Sequence, residues 1–222
     1  MAVYRVFPAK KESILGSVSV TLWLIIFNVI FFILFSVLIS YEIIPIDYIA
    51  LNPSNIINNF YPWTFLTSLF MHGGFFHLFV NMLSLLFVGG LLEKILGKKR
   101  FFSFYIISGF IAGLLFVLSA FIFTGDFNSY AVGASGAIFG LIGVLVFLTP
   151  NLPVYIMFIP IPIKMKYAAP AMLFIIWLIS AGLNLAIGNV AHLGGLLSGI
   201  VYGVYLRTRY PRKVNLISRH FS

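Results

Sequence analysis

The stretch GASGAIFGLIGVLVFL, Gly133 to Leu148, decides the fold. It carries no charge, and its one hydroxyl, Ser135, comes third. From Ser135 to Leu148 it makes about 20 Å of helix, apolar enough to lie in a bilayer. A second such stretch, AHLGGLLSGIVYGVYL, runs from Ala191 to Leu206 and opens on a histidine. Ionisable side chains are costly inside a membrane and by default suggest function. A serine and a histidine, each opening an apolar helix, are the two working parts of a serine hydrolase.

The rest of the chain has the same character. Its 222 residues are 61% hydrophobic and 9% charged, with a mean hydropathy of +1.09. A soluble domain carries about 25% charged residues. Apolar runs of roughly 20 residues recur, so the expected fold class is an all-α membrane protein. Six spans are drawn, near Ser17–Ser40, Phe75–Leu92, Phe101–Phe123, Ser135–Leu148, Tyr167–Asn184 and His192–Leu206. The first is read as a retained helix, because it exceeds a signal peptide's apolar region and has no small-residue cleavage site. The division is then a segment 1–16, a six-helix domain 17–206 and a basic tail 207–222. No second, soluble domain is expected. With no cysteine there is neither a disulfide nor a thiolate nucleophile.

Charge orients the spans. All 14 Lys and Arg fall in the N-terminus, the second loop (Lys94, Lys98, Lys99, Arg100), the fourth loop (Lys164, Lys166) or the tail. The acids Glu42, Asp47 and Asp126 lie in the first and third loops. By the positive-inside rule both termini are cytoplasmic. The net charge of +9 thus follows topology, and no nucleic-acid partner is implied. The first outer loop, Tyr41–Gly74, holds Tyr61, Trp63, Phe65 and Phe70, which suit an interfacial segment in the headgroups. Pro153, Pro160 and Pro162 argue against a helix in the fourth loop. The tail is expected to be flexible.

Helices two, four and six all run inward, so His77, Asn81, Ser135 and His192 share the outer side. If the inner helix ends sit at the inner interface, the polar residues lie roughly 8–10 Å below the outer one. Irregular backbone at that depth must be buried or line a wet cavity. Gly136 and Gly140 form a GxxxG, and Gly195, Gly199 and Gly203 extend another. Such spacing lets membrane helices pack backbone to backbone, which would bring Ser135 beside His192. Packing alone is the competing role for these glycines.

Ser135 is the candidate nucleophile, with a helix N-cap as its competing role. His192 is the candidate base, with a bond to a backbone carbonyl as the alternative. No acid lies in these helices near their outer ends, so a dyad is expected. Loss of the acid from a soluble triad costs about 10⁴ in rate, which makes imidazole orientation by packing important. Phe139, one turn after Ser135, could stack on His192 or be a plain core aromatic. His77 and Asn81, four apart, share a helix face. Both can donate to a developing oxyanion, as can the Ser135 backbone N–H. His72, His77 and His192 as a metal site would lack a carboxylate or HExxH arrangement; no metal and no cofactor are expected. His72 could hold water or substrate, or simply sit at the interface.

With these residues in view, the chain resembles the rhomboid intramembrane serine proteases. The match covers about Tyr61 to Tyr205 and rests on H-x-x-x-x-H-x-x-x-N (His72, His77, Asn81), G-A-S-G-A-I-F-G (Gly133–Gly140) and A-H-L-G-G (Ala191–Gly195), with G-G-L-L-E-K-I-L-G (Gly89–Gly97) also similar. The resemblance implies a minimal six-helix rhomboid-like bundle with Ser135 as nucleophile and His192 as general base. His77, Asn81 and the Ser135 amide would form the oxyanion hole, with His72, Phe139, Gly133 and Gly136 supporting it. It also implies access from the outer side and a fifth helix that gates. The partners would be the bilayer and transmembrane protein substrates, cut near small or helix-breaking residues. Two departures stand out: Trp63-Thr64 where many members have Trp-Arg, and Phe139 where some have Tyr. A non-catalytic relative that binds membrane segments is the second reading. A small transporter or channel is the third, but embedded charges and a repeat of broken helices are missing. The expected location is a prokaryotic inner membrane. Oligomeric state is not legible.

Overall fold

Apolar runs without water must satisfy their backbone internally, and helices do so. The structure, a computed structural model, describes residues 18–122, 127–156, 159–182 and 188–221. The helices are α1 (Val20–Ser40), α2 (Phe75–Leu96), α3 (Lys98–Ser119), α4 (Ser135–Leu148), α5 (Met165–Gly182), α6 (Asn189–Arg209) and α7 (Pro211–His220). Five of them, α1, α2, α3, α5 and α6, are long and apolar enough to cross a membrane. The shorter α4 lies at the centre of the bundle, buried along nearly its whole length. The segment 1–16, the expected start at Ser17, the expected ends at Phe123 and Asn184, and Asp126 lie outside the described residues.

Glycine sets the tightest contact. A Cβ on Gly195 would strike the Gly136 carbonyl, and one on Gly199 the Gly140 carbonyl. The α4 and α6 backbones therefore touch, as the small-residue spacing predicts. Helix α3 packs against both, and the Ser108 and Ser198 hydroxyls meet at 2.8 Å between α3 and α6. By contrast α1 and α5 bury few residues and present most of their surface outward.

The opposite end from Ser135 is closed by a carboxylate. Glu93, buried near the end of α2, accepts from the Val20 and Thr21 backbone N–H groups at 2.8 Å each and from the Thr21 hydroxyl at 2.7 Å. These amides open α1 and have no partner within it, and a negative charge there also suits the helix dipole.

Three local features differ from the sequence reading. Helix α3 begins at Lys98 rather than Phe101, because Gly97 (φ +80°) ends α2 and the chain turns at once into the next helix. The proline-rich fourth loop has no helix among its described residues, but it holds a small antiparallel ladder, β1 (Pro153–Val154) on β2 (Ile163–Lys164). The tail, expected to be flexible, forms α7. Pro211 starts it, Val214 is buried, and it packs beneath α4 and α6; a proline in the first turn costs nothing because its missing N–H would be unpaired anyway.

Candidate active site

Two turns at the end of the bundle opposite Glu93 deliver the side chains. Gly133 adopts φ +113°, a conformation glycine tolerates without strain. Its N–H donates to the Ser68 carbonyl at 2.8 Å. A Cβ there would also sit 2.9 Å from His77 Nε2, so the imidazole lies directly on this backbone. Just upstream, Leu51 and Ala131 form a two-way backbone bridge between the first and third loops. Helix α4 then starts at Ser135. Its cap position is Ala134, with no side-chain cap bond. The competing role for Ser135, that of a helix cap, is therefore not the one taken.

Instead Ser135 Oγ lies 2.7 Å from His192 Nε2. His192 sits one turn inside α6, which begins at Asn189, and is only 7% exposed. Gly136 allows the approach: a Cβ there would lie 2.7 Å from the Ala112 methyl, so α4 enters tight against α3. The Phe139 ring lies 4.9 Å from the imidazole centroid, tilted by 30°. Among the described residues no group bonds His192 Nδ1. Its orientation therefore comes from the Ser135 contact, the Phe139 ring and burial.

His77 and Asn81 face the same way from the first turns of α2. The Gly73 N–H points at His77 Nδ1 across 3.4 Å, a long contact that leaves Nε2 as the donor nitrogen. Asn81, buried, donates Nδ2 to the His77 carbonyl at 2.8 Å, which leaves it one amide hydrogen. Neither side chain bonds Ser135 directly among the described residues. His72 is buried edge-on to His77 at 5.1 Å. Burial first, and then the neighbouring His77, draws its pKa down to about 3, so His72 is neutral at physiological pH. Among the described residues no three of His, Asp and Glu gather into a metal-ligand set.

The first loop is anchored without the arginine. Trp63 stacks on Tyr61 and Tyr48, and its indole N–H donates to the Tyr48 carbonyl at 3.0 Å. Thr64 is fully buried and donates to the Tyr61 carbonyl at 2.7 Å. Asp47 ties this loop to the third. One of its oxygens accepts from Tyr130 at 2.7 Å and from Asn55 at 2.6 Å. Sequence reasoning missed this pair and Ser68, because none of the three stands on an apolar helix or in a recognisable spacing.

Comparison with known proteins points to one family. The family model described as the Rhomboid domain matches residues 59–209. RHOMBOID-like protein 1 of Arabidopsis thaliana is 38% identical over 163 residues, 69% of this chain and 37% of that protein. Rhomboid protein 1, mitochondrial, of Saccharomyces cerevisiae is 37% identical over 147 residues, 63% of this chain and 40% of that protein. Inactive RHOMBOID-like protein 8 of Arabidopsis thaliana is 36% identical over 139 residues, 61% of this chain and 36% of that protein. The chain thus covers less than half the length of each of these relatives. They come from a plant and a yeast, and lend no support to the expected prokaryotic inner membrane.

Proposed function

The chain belongs to the rhomboid family, and from that premise we propose that it is an intramembrane serine endopeptidase working through a Ser135–His192 dyad. The observation that carries the proposal is the 2.7 Å contact between Ser135 Oγ and His192 Nε2 inside apolar helices. In an all-apolar setting such a pair has no packing purpose that two apolar side chains would not serve better.

In this reading His192 Nε2 takes the Ser135 proton as Oγ attacks the scissile carbonyl. The oxyanion that develops is met by the Ser135 N–H, one of the first-turn donors that a helix leaves without an internal acceptor, and by His77 and Asn81. The positive end of the α4 dipole adds to this. His192 then hands its proton to the departing amine, and an activated water releases the acyl-enzyme. Phe139 does by stacking part of what an aspartate does in a soluble triad, so the enzyme is slow by comparison. Substrates are transmembrane proteins cut near small or helix-breaking residues, whose peptide bonds are less shielded by helical hydrogen bonding. The sparsely packed α5 is the gate, and the outer side is the side of access.

One of the matched relatives carries "inactive" in its name, which keeps a binding-only protein as the competing reading. A fluorophosphonate probe separates the two. Wild-type protein in detergent is expected to be labelled at Ser135, and His192→Ala to lose the label. Failure of the probe to label a folded wild-type protein would favour the binding-only reading.

A further inference from the structure

At the basic end of the bundle a groove of ≈ 590 Å³ opens sideways between α3 and α6. Its shaft is apolar, with Phe104, Ile107 and Val201 on its walls, and its mouth is formed by Lys99, Arg100 and Tyr205. Ile107 and Val201 are exposed, so the shaft faces the lipid. Along α3 the lining runs from Lys99 to Ile111, about 18 Å at the helical rise. That is close to the depth of one leaflet, half of a hydrocarbon core ~30 Å thick.

The mouth collects positive charge. Around the Tyr210 ring stand Arg100 at 5.8 Å, Arg209 at 5.7 Å and Lys213 at 5.9 Å. Of the described acids only Glu93 lies at this end. Glu93 is engaged by the start of α1, and Glu42 and Asp47 lie at the other end of the bundle. These cations therefore face one another without a described carboxylate between them. An apolar shaft one leaflet deep with a cationic mouth fits a molecule with an acyl chain and an anionic head. A neutral protein helix has no use for the cations, and a free phosphate none for the shaft.

We propose that this groove binds an anionic phospholipid of the leaflet at the basic end, one acyl chain lying along Phe104, Ile107 and Val201 and the phosphate held by Lys99 and Arg100. The site is separate from the Ser135–His192 pair and stands whether or not the chain is a protease.

The test is lipid titration of the purified full chain in detergent, read by native mass spectrometry, with phosphatidylglycerol and phosphatidylcholine of identical chains. The expected result is one tightly retained phosphatidylglycerol and at least tenfold weaker phosphatidylcholine. Lys99→Gln with Arg100→Gln should weaken phosphatidylglycerol about 30-fold, since each basic group near a surface contributes about one such square-root step. Val201→Trp, on an exposed face, should expel the chain and weaken binding while both charges remain; it decides the matter if the double variant does not fold. Equal retention of the two lipids, or unchanged phosphatidylglycerol binding in either variant, would overturn the proposal. Displacement by millimolar inorganic phosphate would do so too, by reducing the site to a phosphate contact.

Discussion

Phe139 is the ring that orients the base of the proposed dyad. No described group holds His192 Nδ1, so the imidazole is oriented by Ser135 on one side and by the Phe139 ring, 4.9 Å away, on the other. Small displacements of a catalytic group are costly in rate. Phe139→Ala should lower kcat by about tenfold to a hundredfold with KM little changed, whereas Phe139→Tyr, which keeps the ring, should stay near wild type. Steady-state cleavage of a membrane substrate checks both. Ser135 and His192 were legible in the sequence because a polar side chain inside an apolar helix needs a reason to be there. The state of Asn81 was not, because which of its amide hydrogens is taken by its own helix depends on a rotamer that no spacing encodes. Nor was the fit of Gly133 against His77, which joins segments more than fifty residues apart.

Between elements, two polar ties hold what apolar packing leaves loose. Glu93 joins α2 to the first turn of α1, a helix that buries only Thr21, Leu24 and Asn28. Hydrogen bonds to a buried charge are among the stronger ones, so Glu93→Ala should cost about 2 kcal/mol and lower Tm by roughly 4–8 °C. A thermal scan in detergent reads this directly, and no change would mean that water replaces the carboxylate at no cost. The second tie is Asp47 with Tyr130. The Tyr130 hydroxyl and then the Asn55 amide hold the Asp47 carboxyl below the usual carboxylate range, and Asp47 in turn pushes Tyr130 up to about 12. A lowered acid pKa contributes above the unfolded carboxylate value, and a raised phenol pKa contributes below the unfolded phenol value. The tie is therefore intact from about pH 4 to about pH 10. Corrected hydrogen exchange over residues 47–55 should be flat from pH 5 to pH 9, and Tyr130→Phe should raise it throughout. The span pattern was legible because an apolar run of bilayer length has few other fates. Helix α7 was not, because its stability comes from Val214 finding a seat beneath α4 and α6, a contact distant in sequence.

At the scale of the whole molecule, the chain is polarised. Its described basic residues gather at one end, where Glu93 closes α1 and the lipid groove opens. The starts of α2, α4 and α6 meet at the other, bringing His77, Ser135 and His192 together. Small residues make the polarity possible, since α4 reaches the centre only because α6 meets it backbone to backbone. If the dyad end faces outward, as we propose from the charge pattern, the enzyme cuts its substrates nearer the outer face than the inner. The most direct measurement is cleavage of a single-span test protein, with small residues near its outer end, in proteoliposomes holding wild type, Ser135→Ala or His192→Ala. A working Ser135–His192 dyad gives cleavage by the wild type alone. Equal cleavage by all three proteins would contradict it.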